Sequence, residues 1–411
     1  MSGTDGHAEP WRGEKHWVSR YNFEEVDGRP ARPRLPDVTI YDVTLRDGEQ
    51  TPGVVFRLED KVAIATALDA AGVPRIEAGF PVVSDEDRAA VKAIAHLGLS
   101  ARVFGFGRLI PEDIDAARAC DVAGIVCEGP VGVPKLRQFD WPPESVVGRA
   151  VKAIDYAKAH GLYTVFFGVD TTRGDWPFLE KVFGTVVQEA HPDALAVVDT
   201  FGGSSPEGYG RLVRAFVDRF APIPIEVHTH NDFGLAVATS LAGVEAGASV
   251  VHVSVNGLGE RTGNAPLDQV ALSLKLLYGS NLPIRFESLA ELSRVVAEHG
   301  GGTPPPNYPV VGARAFTRES GISVAGWAKY HLGSEAYGPD LVGNRYGVVV
   351  GKKSGRHAIE YKLSELGLTL TEPEVERVVR EVKARAESER RSLTDEEFRA
   401  ICDGVRRPAA R

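Results

Sequence analysis

The chain is 411 residues long, 43% hydrophobic and 25% charged, an ordinary globular composition with room for one large domain and a smaller one. Its formal net charge of −9 argues against a nucleic-acid or anionic-membrane partner, since either calls for a basic face, and points to small-molecule ligands. Three cysteines, Cys120, Cys127 and Cys402, are too few and too scattered for a disulfide frame or a zinc knuckle. They read as reduced thiols of a cytoplasmic protein, with Cys120 and Cys127 buried and inert.

Residues 1–36 are polar, charged and punctuated by Trp and Pro, with no apolar run long enough for a signal peptide or a membrane helix. They read as an N-terminal arm. From Val38 onward, short β-branched or aromatic runs alternate with longer segments of helical period, the pattern of a parallel sheet of βα units. Strands are expected at 38–43, 75–78, 102–106, 123–127, 162–167, 194–198, 224–228 and 250–255. Helices are expected between and after them, at 58–71, 84–97, 111–119, 143–160, 176–190, 206–220, 235–246 and 267–278. Such a repeat over about 240 residues is the count and size of a (β/α)8 TIM barrel, with bounds 37–300. Gly300-Gly-Gly-Thr-Pro-Pro-Pro306 then breaks the pattern, because that run fits neither a helix nor a central strand. A linker and first C-terminal subdomain, 301–360, mixed in character, and a helical second subdomain, 361–411, are expected to follow. The latter is read from amphipathic helices near 374–391 and 394–402.

Active sites of this fold lie where strands end and βα loops begin, and the polar residues gather there. Arg46 and Asp47 follow the first strand, Glu77 ends the second, and Asp170 to Arg173 follow the fifth. Asp199 and Thr200 follow the sixth, His228 and His230 the seventh, and the glycine-rich Asn256-Gly-Leu-Gly-Glu-Arg-Thr-Gly-Asn264 the eighth. Residues i and i+2 of a strand face one way, so His228 and His230 project together with Glu226 behind them. With Asp47 they form a two-His, one-carboxylate set that leaves positions open on a divalent ion. A 2-oxo acid chelated there presents a polarised carbonyl, and Arg46 adds a charge-assisted hydrogen bond to the oxygen that becomes negative. The same ligand set serves non-haem iron oxygenases, so these residues by themselves do not name a reaction.

Four strings do. Tyr41-Asp-Val-Thr-Leu-Arg-Asp-Gly-Glu-Gln-Thr-Pro-Gly53, Ile76-Glu-Ala-Gly-Phe-Pro81, His228-Thr-His-Asn-Asp232 and the 256–264 loop closely resemble the 2-isopropylmalate, homocitrate and citramalate synthases. Beyond the barrel the resemblance extends to Ala315-Phe-Thr-Arg-Glu-Ser-Gly-Ile322 and Gly351-Lys-Lys-Ser-Gly-Arg-His-Ala-Ile359, segments that lyases on the related barrel do not share. The resemblance implies a Claisen-type condensation, in which acetyl-CoA, deprotonated at its methyl carbon, attacks a 2-oxo acid to give an alkylmalate-type acid and CoA. It implies a divalent metal (Mg, Mn, Zn or Co) on Asp47, His228, His230 and Asn264, and it makes Arg46 the residue that orients and polarises the keto acid. It also implies substrate contacts from Gln50 and Thr200, with Glu77 and Phe167 counted in the same pocket, and acid/base work by Glu226. A homodimer with a cross-subunit active site is the further implication. For Glu226, a carboxylate that orients its neighbours is the alternative reading.

Three departures stand beside the matches. Ser323 occupies the place of the family histidine that follows Glu-Ser-Gly-Ile and acts in acid/base chemistry, so His331, Tyr330 or Tyr337 is left to substitute, with His331 the choice. Where the family has Ser-x-Glu-Asp after strand five, this chain has Phe167-Gly-Val-Asp170, and Val165 stands where homocitrate synthases place an arginine. Without that cation a second substrate carboxylate has no partner, which argues against 2-oxoglutarate and for a bulkier or less polar pocket. The chain ends soon after Cys402, so the leucine-sensing domain of many isopropylmalate synthases is not expected, nor is feedback by that route. A C–C lyase on the same metal and a catalytically silent ligand-binding relative are the competing readings. The post-barrel strings count against the first and the intact Arg46, Asp47, His228, His230 and Asn264 against the second.

Overall fold

A computed structural model describes residues 9–31 and 35–406. The first eight residues of the expected N-terminal arm, with 32–34 and 407–411, lie outside the described residues. The chain divides into two compact units, Tyr21–Pro304, and Met1–Arg20 with Pro305–Arg411.

The first unit is a closed barrel of eight parallel strands in sequence order, β1 Thr39–Asp42, β2 Arg75–Glu77, β3 Arg102–Arg108, β4 Gly124–Pro130, β5 Tyr163–Val169, β6 Ala194–Asp199, β7 Ile225–Thr229 and β8 Val250–Val253. Closure is made by β1, whose Tyr41 pairs with Arg75 on one side and His252 on the other. The helices are α1 Leu58–Ala70, α2 Asp85–Ala95, α3 Pro111–Arg118, α4 Val133–Gln138, α5 Pro143–Ala159, α6 Trp176–Ala190, α7 Pro206–Phe220, α8 Ala236–Glu245, α9 Leu267–Tyr278 and α10 Leu289–Val296. Several start on local signals. The Ser84 hydroxyl accepts the Asp87 N–H at the head of α2, and Ser205 accepts the Gly208 N–H ahead of α7, whose first residue is Pro206.

Alternation along the strands sorts the side chains into two layers. Ile40, Ile76, Ile125, Phe166, Leu195 and Val227 are buried on one face. Tyr41, Phe104, Phe106, Val126, Val165, Phe167, Ala196 and Val198 form the other, a filled barrel interior. The β4–β5 pairing runs unbroken from Gly124 opposite Tyr163 to Pro130 opposite Val169, so both strands reach further than the apolar runs that announce them. The rim on that side therefore includes Glu128 and Val169. Helix α4, six residues long, was not expected; it is too short to display a helical period.

The second unit contains a two-stranded parallel pair, β9 Thr317–Arg318 and β10 Gly347–Val348, with helices α11 Gly321–Lys329, α12 Arg356–Glu365, α13 Glu372–Glu389 and α14 Asp395–Arg406. The last two correspond to the expected amphipathic pair, and their inner faces (Val375, Val378, Val382, Phe398 and Cys402) pack with Ile359 and Leu363 of α12. All three cysteines are free and buried, and burial pushes the Cys127 thiol up to about 12, far from a reactive thiolate. Among the described residues no helix is long and apolar enough to cross a membrane.

Candidate active site

At the C-terminal end of the barrel, the turn after β1 and the end of β7 bring three side chains together. The Asp47 Oδ2 lies 3.5 Å from His228 Nε2 and 3.7 Å from His230 Nε2, and the two Nε2 atoms are 3.2 Å apart. All three residues are buried. From the loop after β8, the Asn264 amide donates to Asp47 Oδ1 at 3.0 Å and to the Leu258 carbonyl at 3.0 Å, while its own Oδ1 is buried without a partner. That loop closes tightly: Gly263 has φ +88, and a Cβ there would stand 1.8 Å from the Gly257 carbonyl oxygen, so only glycine fits.

Protonation states follow from the surroundings. Burial by itself would push the Asp47 carboxyl up, but Arg46, the two imidazoles and the Asn264 amide outweigh it and hold the group far below the usual carboxylate range. Burial lowers the pKa of both histidines, against the pull of Asp47. The cluster is thus an ionised carboxylate with two neutral imidazoles, whose donor atoms all lie within 4.8 Å of one another. With the orphaned Asn264 oxygen beside it, that donor set fits a divalent cation.

Arg46 stands next to this cluster. Its Nη1 donates to Asp47 Oδ2 at 2.8 Å and its Nε to Glu77 Oε2 at 2.9 Å, and the guanidinium carbon lies 4.0 Å over the Phe106 ring. The remaining nitrogen, Nη2, is buried and has no partner. Glu77 is fully buried beneath Arg46; burial raises its pKa and Arg46 opposes that rise. Phe167 packs edge-on against His228, ring centroids 5.2 Å apart. Thr200 accepts the Asp170 N–H at 2.7 Å, and Gln50 is exposed at the end of the turn Gly48–Gln50.

Glu226 lies one step deeper on β7, with Arg75 Nη1 2.9 Å from one oxygen and His252 Nε2 2.8 Å from the other. His252 in turn meets His228 edge-on at 5.4 Å. The sequence reading overlooked Arg75 and His252, although the parity of β2 and β8 points both inward. It also overlooked Lys61, a buried cation 2.6 Å from Glu49 in the loop that carries Arg46, Asp47 and Gln50. His331 lies in the second unit, in the helical turn His331–Gly333, with its ring 6.4 Å from Tyr346 and 6.1 Å from Tyr330. Ser323 is exposed on α11.

Residues 37–296 match the HMGL-like family, and residues 310–390 match the family described as homocitrate synthase post-HMGL domain-like. A probable 2-isopropylmalate synthase of Methanopyrus kandleri is 46% identical over 85% of this chain and 70% of its own. Homocitrate synthase AksA of the same organism is 44% identical over 90% of this chain and 93% of its own. The chain belongs to the 2-isopropylmalate, homocitrate and citramalate synthase family, built on an HMGL-like barrel. The (R)-citramalate synthase CimA of Methanocaldococcus jannaschii is a further member, 41% identical over 84% of this chain and 70% of its own. Among solved structures, the Bacillus subtilis HMG-CoA lyase superposes with a TM-score of 0.60 at 19% identity, covering 67% of this chain and 98% of that one, a likeness of fold.

Proposed function

We propose that the protein is an acyltransferase that condenses acetyl-CoA with a 2-oxo acid to give a 2-hydroxy-2-substituted dicarboxylic acid of the alkylmalate type and CoA. One observation carries this reading over a lyase. The match runs past the barrel into residues 310–390, and relatives named as synthases cover 84 to 96% of the chain, whereas the lyase likeness covers 67%.

Asp47, His228, His230 and Asn264 are the residues that would hold a divalent metal (Mg, Mn, Zn or Co). When bound, it supplies Lewis acidity toward the keto group of the oxo acid. Arg46 contributes its unpartnered Nη2 as a charge-assisted donor to the oxygen that turns negative, and Glu77 and Asp47 hold the guanidinium for that task. Glu77 acts on the substrate through Arg46. Gln50 and Thr200 are proposed to bind the oxo acid from the rim, and Phe167 to wall its side chain.

Glu226 has both carboxylate oxygens engaged by Arg75 and His252, so we assign it the orienting role, a buried counter-charge that fixes His252 beside His228. His331 is proposed as the substitute for the family histidine at Ser323, and wild-type turnover in His331→Ala excludes it. Val165 is buried in the barrel interior with Phe167, and β5, Tyr163–Val169, carries no lysine or arginine. The oxo acid is therefore proposed to be a monocarboxylic one with an apolar side chain. A homodimer with a cross-subunit site and a cytoplasmic location complete the proposal.

The test is metal-loaded protein with acetyl-CoA and a panel of branched, aromatic, phosphono and dicarboxylic 2-oxo acids, followed by thiol release. CoA release that depends on one oxo acid is expected. Silence across the panel with intact metal binding refutes the reading.

A further inference from the structure

Glu128 is a rim carboxylate that none of these roles uses and, unlike Asp170 and Asp199, it is held by no neighbour among the described residues. Val126 of β4 lies in the barrel interior and Cys127 on the outer face, so Glu128 returns to the interior face one layer above Val126. Its register neighbours are Arg108 on β3 and Phe167 on β5. Phe167 touches both His228 and Phe106, and Arg46 lies over Phe106, so Glu128 belongs to the layer that holds the proposed metal site and the polarising arginine.

The Glu128 carboxylate is only partly exposed, yet among the described residues it has no hydrogen bond and no ion pair. The neighbouring arginines are largely engaged elsewhere. Arg108 is bound at 2.8 and 2.9 Å to both oxygens of Asp113, and Arg46 to Glu77 and Asp47. Lys135 of α4 lies 5.4 Å from the centre of the Phe201 ring and 5.5 Å from that of Phe139. A carboxylate kept partly desolvated without a partner costs stability, and its place at an active-site rim gives a functional reason for that cost.

The condensation needs a base in the barrel layer that holds Arg46 and Asp47; no barrel residue assigned above provides one, which leaves His331 the proton transfers of thioester hydrolysis. Ser323 replaces the family histidine, and Glu226 is saturated by Arg75 and His252. We propose that Glu128 is the general base of the condensation. This inference rests on the acyltransferase reading above.

The Glu128 carboxylate takes a proton from the methyl carbon of acetyl-CoA, and the C–H pair becomes the π bond of the enolate. The enolate carbon bonds to the keto carbon of the oxo acid, whose π pair moves to oxygen, and that oxygen recovers the proton from Glu128. Water then cleaves the thioester, so that sulfur leaves as the CoA thiol and the water oxygen enters the new carboxyl group. Burial raises the Glu128 pKa, Glu77 and Asp47 add to the rise, and Arg46 and Lys135 oppose it. With Arg108 on β3, and with β5 offering only Phe167, these are the charged groups around it. A carboxylate with a raised pKa is a stronger base than an ordinary one.

The test compares metal-loaded wild type, Glu128→Gln and Glu128→Asp in the full chain. In Glu128→Gln, kcat is expected to fall by about 100-fold or more while KM for the oxo acid and the metal affinity stay within about 2-fold. The acid limb of the kcat profile, set by protonation of Glu128, disappears in Glu128→Gln. Glu128→Asp restores part of kcat and keeps the limb. Exchange of the acetyl-CoA methyl protons with solvent deuterium, measured with a non-reacting oxo-acid analogue, follows the same order. A Glu128→Gln enzyme within about 3-fold of wild-type kcat, or one in which only KM rises, overturns this inference and leaves the acyltransferase reading intact. A wild type that releases no CoA with any oxo acid overturns both.

Discussion

Replacing Arg46 by Gln separates what this residue does for the reaction from what it does for the fold. In the wild type its Nε lies 2.9 Å from Glu77 and its Nη1 2.8 Å from Asp47, with side chains 6%, 0% and 5% exposed respectively. Removing the guanidinium leaves the Glu77 charge buried without its partner, a loss of about 3–5 kcal/mol. In a unit of this size that lowers Tm by roughly 10 °C. Removing the Nη2 donor to the developing oxyanion lowers kcat by about 100- to 1,000-fold, or about 3–4 kcal/mol in the barrier. The double variant Arg46→Gln, Glu77→Gln removes the stranded charge too, so differential scanning calorimetry is expected to show most of the Tm restored. CoA-release kinetics are expected to show kcat still depressed. Recovery of turnover in the double variant, or wild-type Tm and kcat in the single one, refutes the reasoning.

Asp268, buried in the first turn of α9 with Oδ2 unpartnered, has its pKa raised by burial from 3.8 to about 7. The native state therefore holds a proton that the unfolded chain releases, and stability present below about pH 4 is lost as pH rises through about 7. Asp268→Asn is expected to raise Tm at pH 8 by an amount equivalent to as much as about 4 kcal/mol, with the gain vanishing toward pH 4; a gain independent of pH contradicts the account. Arg75→Met strands Glu226 against His252 and is expected to cost about 3–5 kcal/mol in urea unfolding, against no measurable change if the pair is idle. His230→Ala is expected to weaken divalent-metal binding by at least about 10-fold in calorimetric titration, since one imidazole of the proposed site is lost; wild-type affinity removes His230 from it.

The barrel was legible because each strand and helix carries its own period, and because the rim residues lie at strand ends or in the loops that follow them. His228 and His230 could be placed on one face from spacing alone, and Asp47 opposite them from its position after β1. Side-chain pairings across the interior were not legible, since they depend on which strands adjoin. Arg75, Glu226 and His252 are far apart in the chain and meet only because β8 closes against β1, and β7 pairs with β8. Glu128 escaped notice for a local reason. It is a lone acid after the run Gly124-Ile-Val-Cys127, where the apolar signal stops although the strand continues to Pro130. Counting parity onward from Val126 is the signal that finds it. In the second unit, α11 has small residues at Gly321, Ala325 and Gly326 and shows almost no amphipathic period, so its sequence gives no clear helical outline.

The central claim, that acetyl-CoA and a 2-oxo acid are joined at the site formed by Asp47, His228, His230 and Arg46, is tested most directly with acetyl-CoA labelled with carbon-13 at both acetyl carbons. Metal-loaded protein, labelled acetyl-CoA and the oxo-acid panel are incubated together, and products are read by mass spectrometry. The account predicts one new hydroxy diacid carrying both labelled carbons, formed in step with free CoA and absent from His230→Ala. Labelled acetate as the only product, or a labelled diacid formed equally well by His230→Ala, contradicts it.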